Sequence, residues 1–341
     1  MLAVVKERAE PGVDLREVAE PRAPGLGEVR LRVEACGLCG TDVSYYQWRE
    51  HLKDEITLPV ILGHEVVGVI QAVGQGVEGM GPGQRVATET SAPCGRCRCC
   101  MRGMDNLCES QLRIGQQVDG GLAPLLVVPA SCLRLIPDSV PAAEATLIQT
   151  MGVAMHALEQ AGGLLPGDSA LVFGPGPVGA LAALLLQRQG ARVAVVGLPE
   201  DQARLEMLRG MGVEAMAETE VGPWLERWTG GFGVELAVEA AGAAGAVRSA
   251  MAAVRPGGTV VIAGVPPPAE VDLTSIPRKE MRIVGSWRRR RETWERATEV
   301  ARREPELLSP LVGMRVPLQE TADALQALSQ RQVVKAVVVM G

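Results

Sequence analysis

At 341 residues the chain is too long for one ordinary core and implies two domains of roughly 100–200 residues each. With 47% hydrophobic and 22% charged residues it has ample material to bury, which excludes a disordered chain. A net charge of −6 argues against a nucleic-acid partner, and no apolar run approaches the roughly 20 residues of a membrane span, so no membrane partner is expected either.

The opening "MLAVVKERAE" lacks the apolar core of a secretory signal, and a cytoplasmic location is expected. From Met1 to about Pro141, short strand-like runs ("EVRLRVEA", "VVGVIQAVG", "QRVATET", "LLVVPA") alternate with Gly and Pro clusters, predicting an irregular β-rich domain without a long helix. From about residue 144 apolar strands alternate with Ala/Leu-rich helical segments: "SALVFG", "PVGALAALLLQRQG", "ARVAVVG", "DQARLEMLRGMG", "VELAVEAAG", "GGTVVIAGV", "EMRIVGSW". That alternation predicts βαβ units in a parallel sheet. A helix around Glu292 to Arg303, the helical "PLQETADALQAL" and a last strand "VVKAVVVM" rejoin the first domain. The expected division is 1–143 with 287–341, and 144–286. The run Arg288, Arg289, Arg290 and Arg291 reads as a solvated helix start.

Gly174, Gly176 and Gly179 form G-x-G-x-x-G between a strand and a helix. The first glycine allows the tight turn, the second admits a pyrophosphate to the backbone, and the third lets helix and strand pack closely. With Pro177 and Val178 they open a helix whose free N–H groups suit phosphates. The carboxylate that clamps an adenosine ribose is expected at the end of the second strand, where this chain has Gly197. Its absence removes repulsion of a 2′-phosphate, but Glu200 and Asp201 precede the first cation, Arg204. The balance tilts toward NADP, with NAD the alternative.

Five of the eight cysteines fall within "PCGRCRCCMRGMDNLC". Cys94, Cys97, Cys100 and Cys108 are spaced C-x2-C-x2-C-x7-C, which suits a closed tetrahedral structural zinc. An iron–sulfur cluster is the chemical competitor, and related spacings occur in DNA-binding zinc modules. Cys99 is expected to point away, while Cys36, Cys132 and His156 read as buried structural residues.

Cys-Gly-Thr-Asp at 39–42, Gly-His-Glu-x2-Gly at 63–68, the four-cysteine lobe and G-x-G-P-x-G occur in an order that resembles the zinc-dependent medium-chain dehydrogenases of alcohols, polyols and threonine. The resemblance implies an α/β chain: a GroES-like β-rich catalytic domain plus a Rossmann doubly wound parallel-sheet domain, with an active-site zinc in the cleft between them. It makes Cys39 and His64 zinc ligands, Glu65 a third, direct or exchangeable one, Asp42 the group orienting His64, and Thr41 the hydroxyl that takes the alcohol proton. Two zinc ions per chain follow, one structural and one catalytic. The catalytic ion would lower the pKa of a substrate hydroxyl while hydride passes to the nicotinamide.

Two residues depart from the polyol and threonine branches. Gln149-Thr150 stands where a Glu-Pro pair is common, and Ser44 replaces a histidine of the proton relay. A relay through Thr41 and Ser44 is expected in its place. Tyr45, Tyr46 and Trp48 serve either the core or a substrate-pocket wall. The expected substrate is a small alcohol, polyol or the corresponding carbonyl compound. The alternatives are an NADPH-dependent aldehyde or ketone reductase and a weakly active or non-catalytic zinc- and nucleotide-binding protein. The resemblance implies a homodimer or homotetramer, joined through strands near "EMRIVGSW".

Overall fold

The computed structural model describes the chain from Met1 to Gly341, apart from the side chains of residues 50–52. His51, which received no role from the sequence, lies outside the described side chains. The chain forms two compact units, Met1–Gln149 with Arg290–Gly341, and Thr150–Arg289.

The first unit is built on strands. Its longest, Glu28–Leu38, alternates buried and less buried positions up to Ala35, as a half-covered strand does, and is buried throughout from Cys36 to Leu38. This strand is central to a seven-stranded sheet, between the antiparallel partners Glu65–Val73 and Lys335–Val339. Val29, Leu31, Val66, Ile70, Leu126 and Val338 pack into one core beside it. A smaller sheet joins Asp14–Glu17, Leu2–Lys6 and Val60–Ile61. The short antiparallel pair Ser91–Ala92 and Leu112–Arg113 closes the base of the cysteine-rich segment.

The second unit is a six-stranded parallel sheet in the order Glu214–Ala217, Arg192–Gly197, Ser169–Phe173, Val234–Glu239, Val254–Ile262, Arg282–Gly285. Numbered along the chain this is 3-2-1-4-5-6, with the order reversing beside Ser169–Phe173, where such sheets open a crevice at their carboxyl ends. The helix Pro177–Arg188 follows that strand and is buried from Gly179 to Leu186, matching its nearly all-apolar sequence. No helix among the described residues is long and apolar enough to cross a membrane.

Two readings of the sequence change here. The four arginines are not uniformly solvated: Arg290 and Arg291 are exposed at the start of the helix Arg291–Arg303, but Arg289 is 2% exposed. Tyr45 is 1% exposed and belongs to the first unit's core rather than to a pocket wall.

Candidate metal centre and dinucleotide site

Cys39 ends the long central strand's excursion and is the N-cap of a short helix, Gly40–Tyr46. His64 and Glu65 stand at the start of the neighbouring strand, Glu65–Val73, so pairing of two adjacent strands brings the three residues together. One ligand atom from each of Cys39, His64 and Glu65 lies within 4.8 Å of the others. Asp42 supports two of them at once: Oδ2 accepts the Cys39 N–H at 2.8 Å, and Oδ1 lies 3.5 Å from Nδ1 of His64. Engagement of Nδ1 leaves Nε2 for a metal, the usual division of an imidazole between its ligand role and an orienting carboxylate.

Burial works against charge on Asp42, but His64, the Cys39 N–H and Lys335 outweigh it and hold its pKa below the ordinary carboxylate value. Burial likewise opposes a proton on His64, and Asp42 and Cys39 overcome that opposition, raising its pKa well above 6.5. A metal entering here must displace a proton. A thiolate, an imidazole and a carboxylate form a donor set suited to zinc, and three protein groups leave a fourth position for another oxygen. The residues present fit a catalytic zinc.

Thr41 Oγ1 lies 3.9 Å from Cys39 Sγ. Ser44 is buried within the helix and donates its hydroxyl proton to the Gly40 carbonyl at 3.0 Å. Gln149 is buried in the first turn of Leu147–Ala161.

Cys94, Cys97, Cys100 and Cys108 also bring their sulfurs within 4.8 Å of one another. Backbone N–H groups feed the cluster, Cys94 to Cys108 Sγ at 3.2 Å and Cys100 to Cys97 Sγ at 3.5 Å. Donation from the Cys100 and Glu109 backbone lowers the Cys97 pKa to about 6. Desolvation and the neighbouring sulfurs push Cys100 up to about 12. A bound cation would let all four sulfurs act as thiolates, and tetrahedral zinc fits this set. Cys99 stands outside the group, its sulfur 4.0 Å from Glu109 Oε1.

In the second unit, Gly174 turns with φ +111°, and a Cβ there would stand 2.7 Å from the Ala241 nitrogen. Gly176 is the N-cap of Pro177–Arg188, with Pro177 in the first turn and Val178 next to it, and a Cβ on Gly176 would meet nothing within 4 Å. A Cβ on Gly179 would overlap the Gly174 carbonyl oxygen. The loop thus has the close approaches and the open space that a pyrophosphate cradle needs. Gly197 ends the adjacent strand, packed within 3.1 Å of Asp201 and Leu205 if given a Cβ. Asp201 turns inward, accepting the Leu198 N–H at 3.1 Å, with Arg204 Nη1 3.8 Å from its other oxygen.

Two residues were missed in the sequence. Glu239 ends the strand Val234–Glu239, and its Oε1 accepts the N–H groups of Ala241 at 2.8 Å and Gly242 at 2.6 Å, fixing the turn against which Gly174 packs. Desolvation raises its pKa despite those donors. Lys335 is fully buried and paired with Glu65. Burial opposes its charge, but Glu65, Cys39 and Asp42 raise its pKa. A lone lysine in the apolar run "VVKAVVVM" was the available signal, because a buried ammonium requires a partner.

Residues 25–138 match the alcohol dehydrogenase GroES-like domain, and residues 177–303 match the zinc-binding dehydrogenase family. The L-threonine 3-dehydrogenase of Yersinia pestis (strain Pestoides F) is 32% identical over 340 residues, 96% of each chain. A protein described as a zinc-binding dehydrogenase from Sinorhizobium meliloti 1021, bound to NADP, is 28% identical with a TM-score of 0.88, covering 99% of this chain and 98% of that one. A protein described as a short chain alcohol dehydrogenase from Escherichia coli CFT073, complexed with NADH, is 27% identical with a TM-score of 0.87 and 99% of both chains covered. The thiolate–imidazole–carboxylate cluster, the four-cysteine lobe and the glycine turn thus occur in a chain that belongs to the zinc-dependent medium-chain alcohol dehydrogenase family.

Proposed function

We propose that the chain moves hydride between the secondary hydroxyl of an alcohol or polyol and NAD(P), with Cys39, His64 and Glu65 holding the zinc that serves the reaction. The observation carrying this reading is the convergence of those three donors within 4.8 Å, braced by Asp42. When bound, zinc supplies a Lewis acid that lowers the pKa of a hydroxyl, and the nicotinamide supplies the hydride acceptor. Asp42 fixes the Cys39 backbone and the His64 ring, so the donors are oriented before any substrate arrives. The Thr41 hydroxyl, beside Cys39, receives the substrate proton. Gly176, Val178 and Gly179 hold the cofactor phosphates at the helix start, while Gly174 and the turn fixed by Glu239 shape the crevice beside them.

A second, structural zinc at Cys94, Cys97, Cys100 and Cys108 completes two ions per chain. NADP is the favoured cofactor within this reading: Gly197 puts no carboxylate at the strand end to repel a 2′-phosphate, and Arg204, ion-paired with Asp201, is the first cation after it. Thiols gathered at two metal-ligand clusters suit the reducing cytoplasm, and a homodimer or homotetramer completes the proposal.

Metal analysis on wild type, Cys39→Ala and Cys97→Ala tests the reading, paired with NAD and NADP reduction on threonine, sorbitol, xylitol and butanediol. The expected result is two zinc ions in wild type, one in each variant, and turnover lost only with the Cys39 ion. Full zinc in Cys39→Ala, or no cofactor reduction across the panel by the zinc-loaded wild type, would refute it.

A further inference from the structure

Lys335 is a charge for which the reaction above has no use. It opens the last strand, Lys335–Val339, is 0% exposed, and forms an ion pair with Oε2 of Glu65, itself 2% exposed. The two side chains meet across the strand between them. Gly37 is in register with Glu65 on one side and with Val337 on the other. A Cβ on Gly37 would overlap Glu65 Oε2 and stand 3.0 Å from Lys335 Cε and 3.1 Å from Thr146 Oγ1. The missing side chain at Gly37 is the space in which the ion pair is made.

Glu65 therefore answers to two cations. It belongs to the cluster with Cys39 and His64, and it is the carboxylate of a buried ammonium. The charges close around that arrangement. Lys335 balances Glu65, while the thiolate of Cys39 and the carboxylate of Asp42 balance a divalent ion on a neutral His64. Without the ammonium one negative charge is in excess, and in a buried site it would be drawn to the metal.

We infer that Lys335 is a positioning residue that holds Glu65 in reserve, keeping one carboxylate oxygen so that Glu65 remains a displaceable ligand and a coordination position stays open for substrate. This inference rests on the zinc reading of the Cys39 cluster. It makes Lys335 a restraint on metal retention, whereas a lysine serving only the fold would leave retention unaltered.

The test is the rate at which folded protein releases zinc to an excess of chelator. The phase that Cys39→Ala abolishes is taken as the Cys39 ion. Lys335→Met should slow that phase by about tenfold or more, in the range that partners of metal ligands command, and Lys335→Arg should restore the wild-type rate. The same Lys335→Met protein should gain more thermal stability from added zinc than wild type does, because the ion then compensates Glu65 alone. Should Lys335→Met fail to fold, the neutral pair Lys335→Met with Glu65→Gln should fold and release zinc at close to the wild-type rate. Release about a hundredfold faster from that double variant would mark Glu65 as a permanent ligand and overturn the inference, as would an unchanged or faster phase in folded Lys335→Met. If wild type shows no phase that Cys39→Ala removes, the zinc reading itself fails. If the phase is present and indifferent to Lys335, only this inference falls.

Discussion

The glycines of the dinucleotide turn separate a packing requirement from a binding requirement. Gly179→Ala would drive a Cβ into the Gly174 carbonyl oxygen and to 3.2 Å from both the Gly174 carbonyl carbon and Val172 Cγ1. Two of the three obstacles are backbone, so the helix Pro177–Arg188 must shift, and its buried face from Gly179 to Leu186 shifts with it. Overpacking of this kind costs about 1–3 kcal/mol, against which alanine's better helix propensity returns less than about 1 kcal/mol. A net loss of about 1–2 kcal/mol is expected. Gly176→Ala differs: φ −75° and ψ 177° suit alanine, and nothing lies within 4 Å of the new methyl. Its stability should stay within about 0.5 kcal/mol of wild type. The methyl instead occupies the space through which a pyrophosphate reaches the backbone, so the cofactor Kd should rise at least about tenfold, or roughly 1.4 kcal/mol. Urea unfolding followed by circular dichroism measures the first quantity, and NADPH or NADH fluorescence titration the second. Wild-type cofactor affinity in Gly176→Ala, or wild-type stability in Gly179→Ala, would refute this assignment of roles.

Gly37→Ala should destabilise the first unit by about 2–4 kcal/mol, combining overpacking with a forced separation of the Glu65–Lys335 pair, and urea midpoints within error of wild type would contradict it. Cys97→Ala should keep the Cys39 ion yet make the segment from Cys94 to Cys108 the first point of cleavage in limited proteolysis, since the remaining sulfurs no longer close a shell; an unaltered digestion pattern counts against a structural metal. Glu235 accepts the N–H and hydroxyl of Ser169 at 2.8 and 2.7 Å and Arg255 Nε at 3.0 Å; burial opposes its charge, but these donors win and lower its pKa from 4.5. A depressed carboxylate stabilises above its unfolded pKa and loses that contribution as pH falls through the folded value. Wild type should therefore exceed Glu235→Gln by about 1.5 kcal/mol at pH 7, with the gap closing below pH 4.5; a gap constant down to acid pH would show that the charge is irrelevant.

What was legible in the sequence was local. The zinc lobe depends on four sulfurs within fifteen residues, and the phosphate turn on three glycines within six, so the spacing itself carries the geometry. Cys39 and His64 lie farther apart, and it was the order of motifs, not spacing, that paired them. Where sequence reading stopped, the missing fact was a register or a direction. The direction of Ser44 needed the helix, whose four-residue step delivers its hydroxyl to the Gly40 carbonyl. Tyr45 looked equally suited to core or pocket until the helix Gly40–Tyr46 turned it inward. Glu239 needed the turn after its strand, because the backbone N–H groups of Ala241, Gly242 and Ala243 are what its buried carboxylate accepts. The division after Gln149 falls inside an apolar helical run, where composition does not change.

Lys335 shows the limit most clearly. It is 270 residues from Glu65, and nothing local joins them. A charged residue in a strand otherwise fit for burial implies a partner, since an ammonium alone in the interior would lose its proton. Which partner is decided by two strand registers that place Glu65 and Val337 on either side of Gly37, and by the absence of a side chain at that glycine. Burial predicts that the pairing exists, and sheet topology selects the carboxylate that also faces the metal ligands.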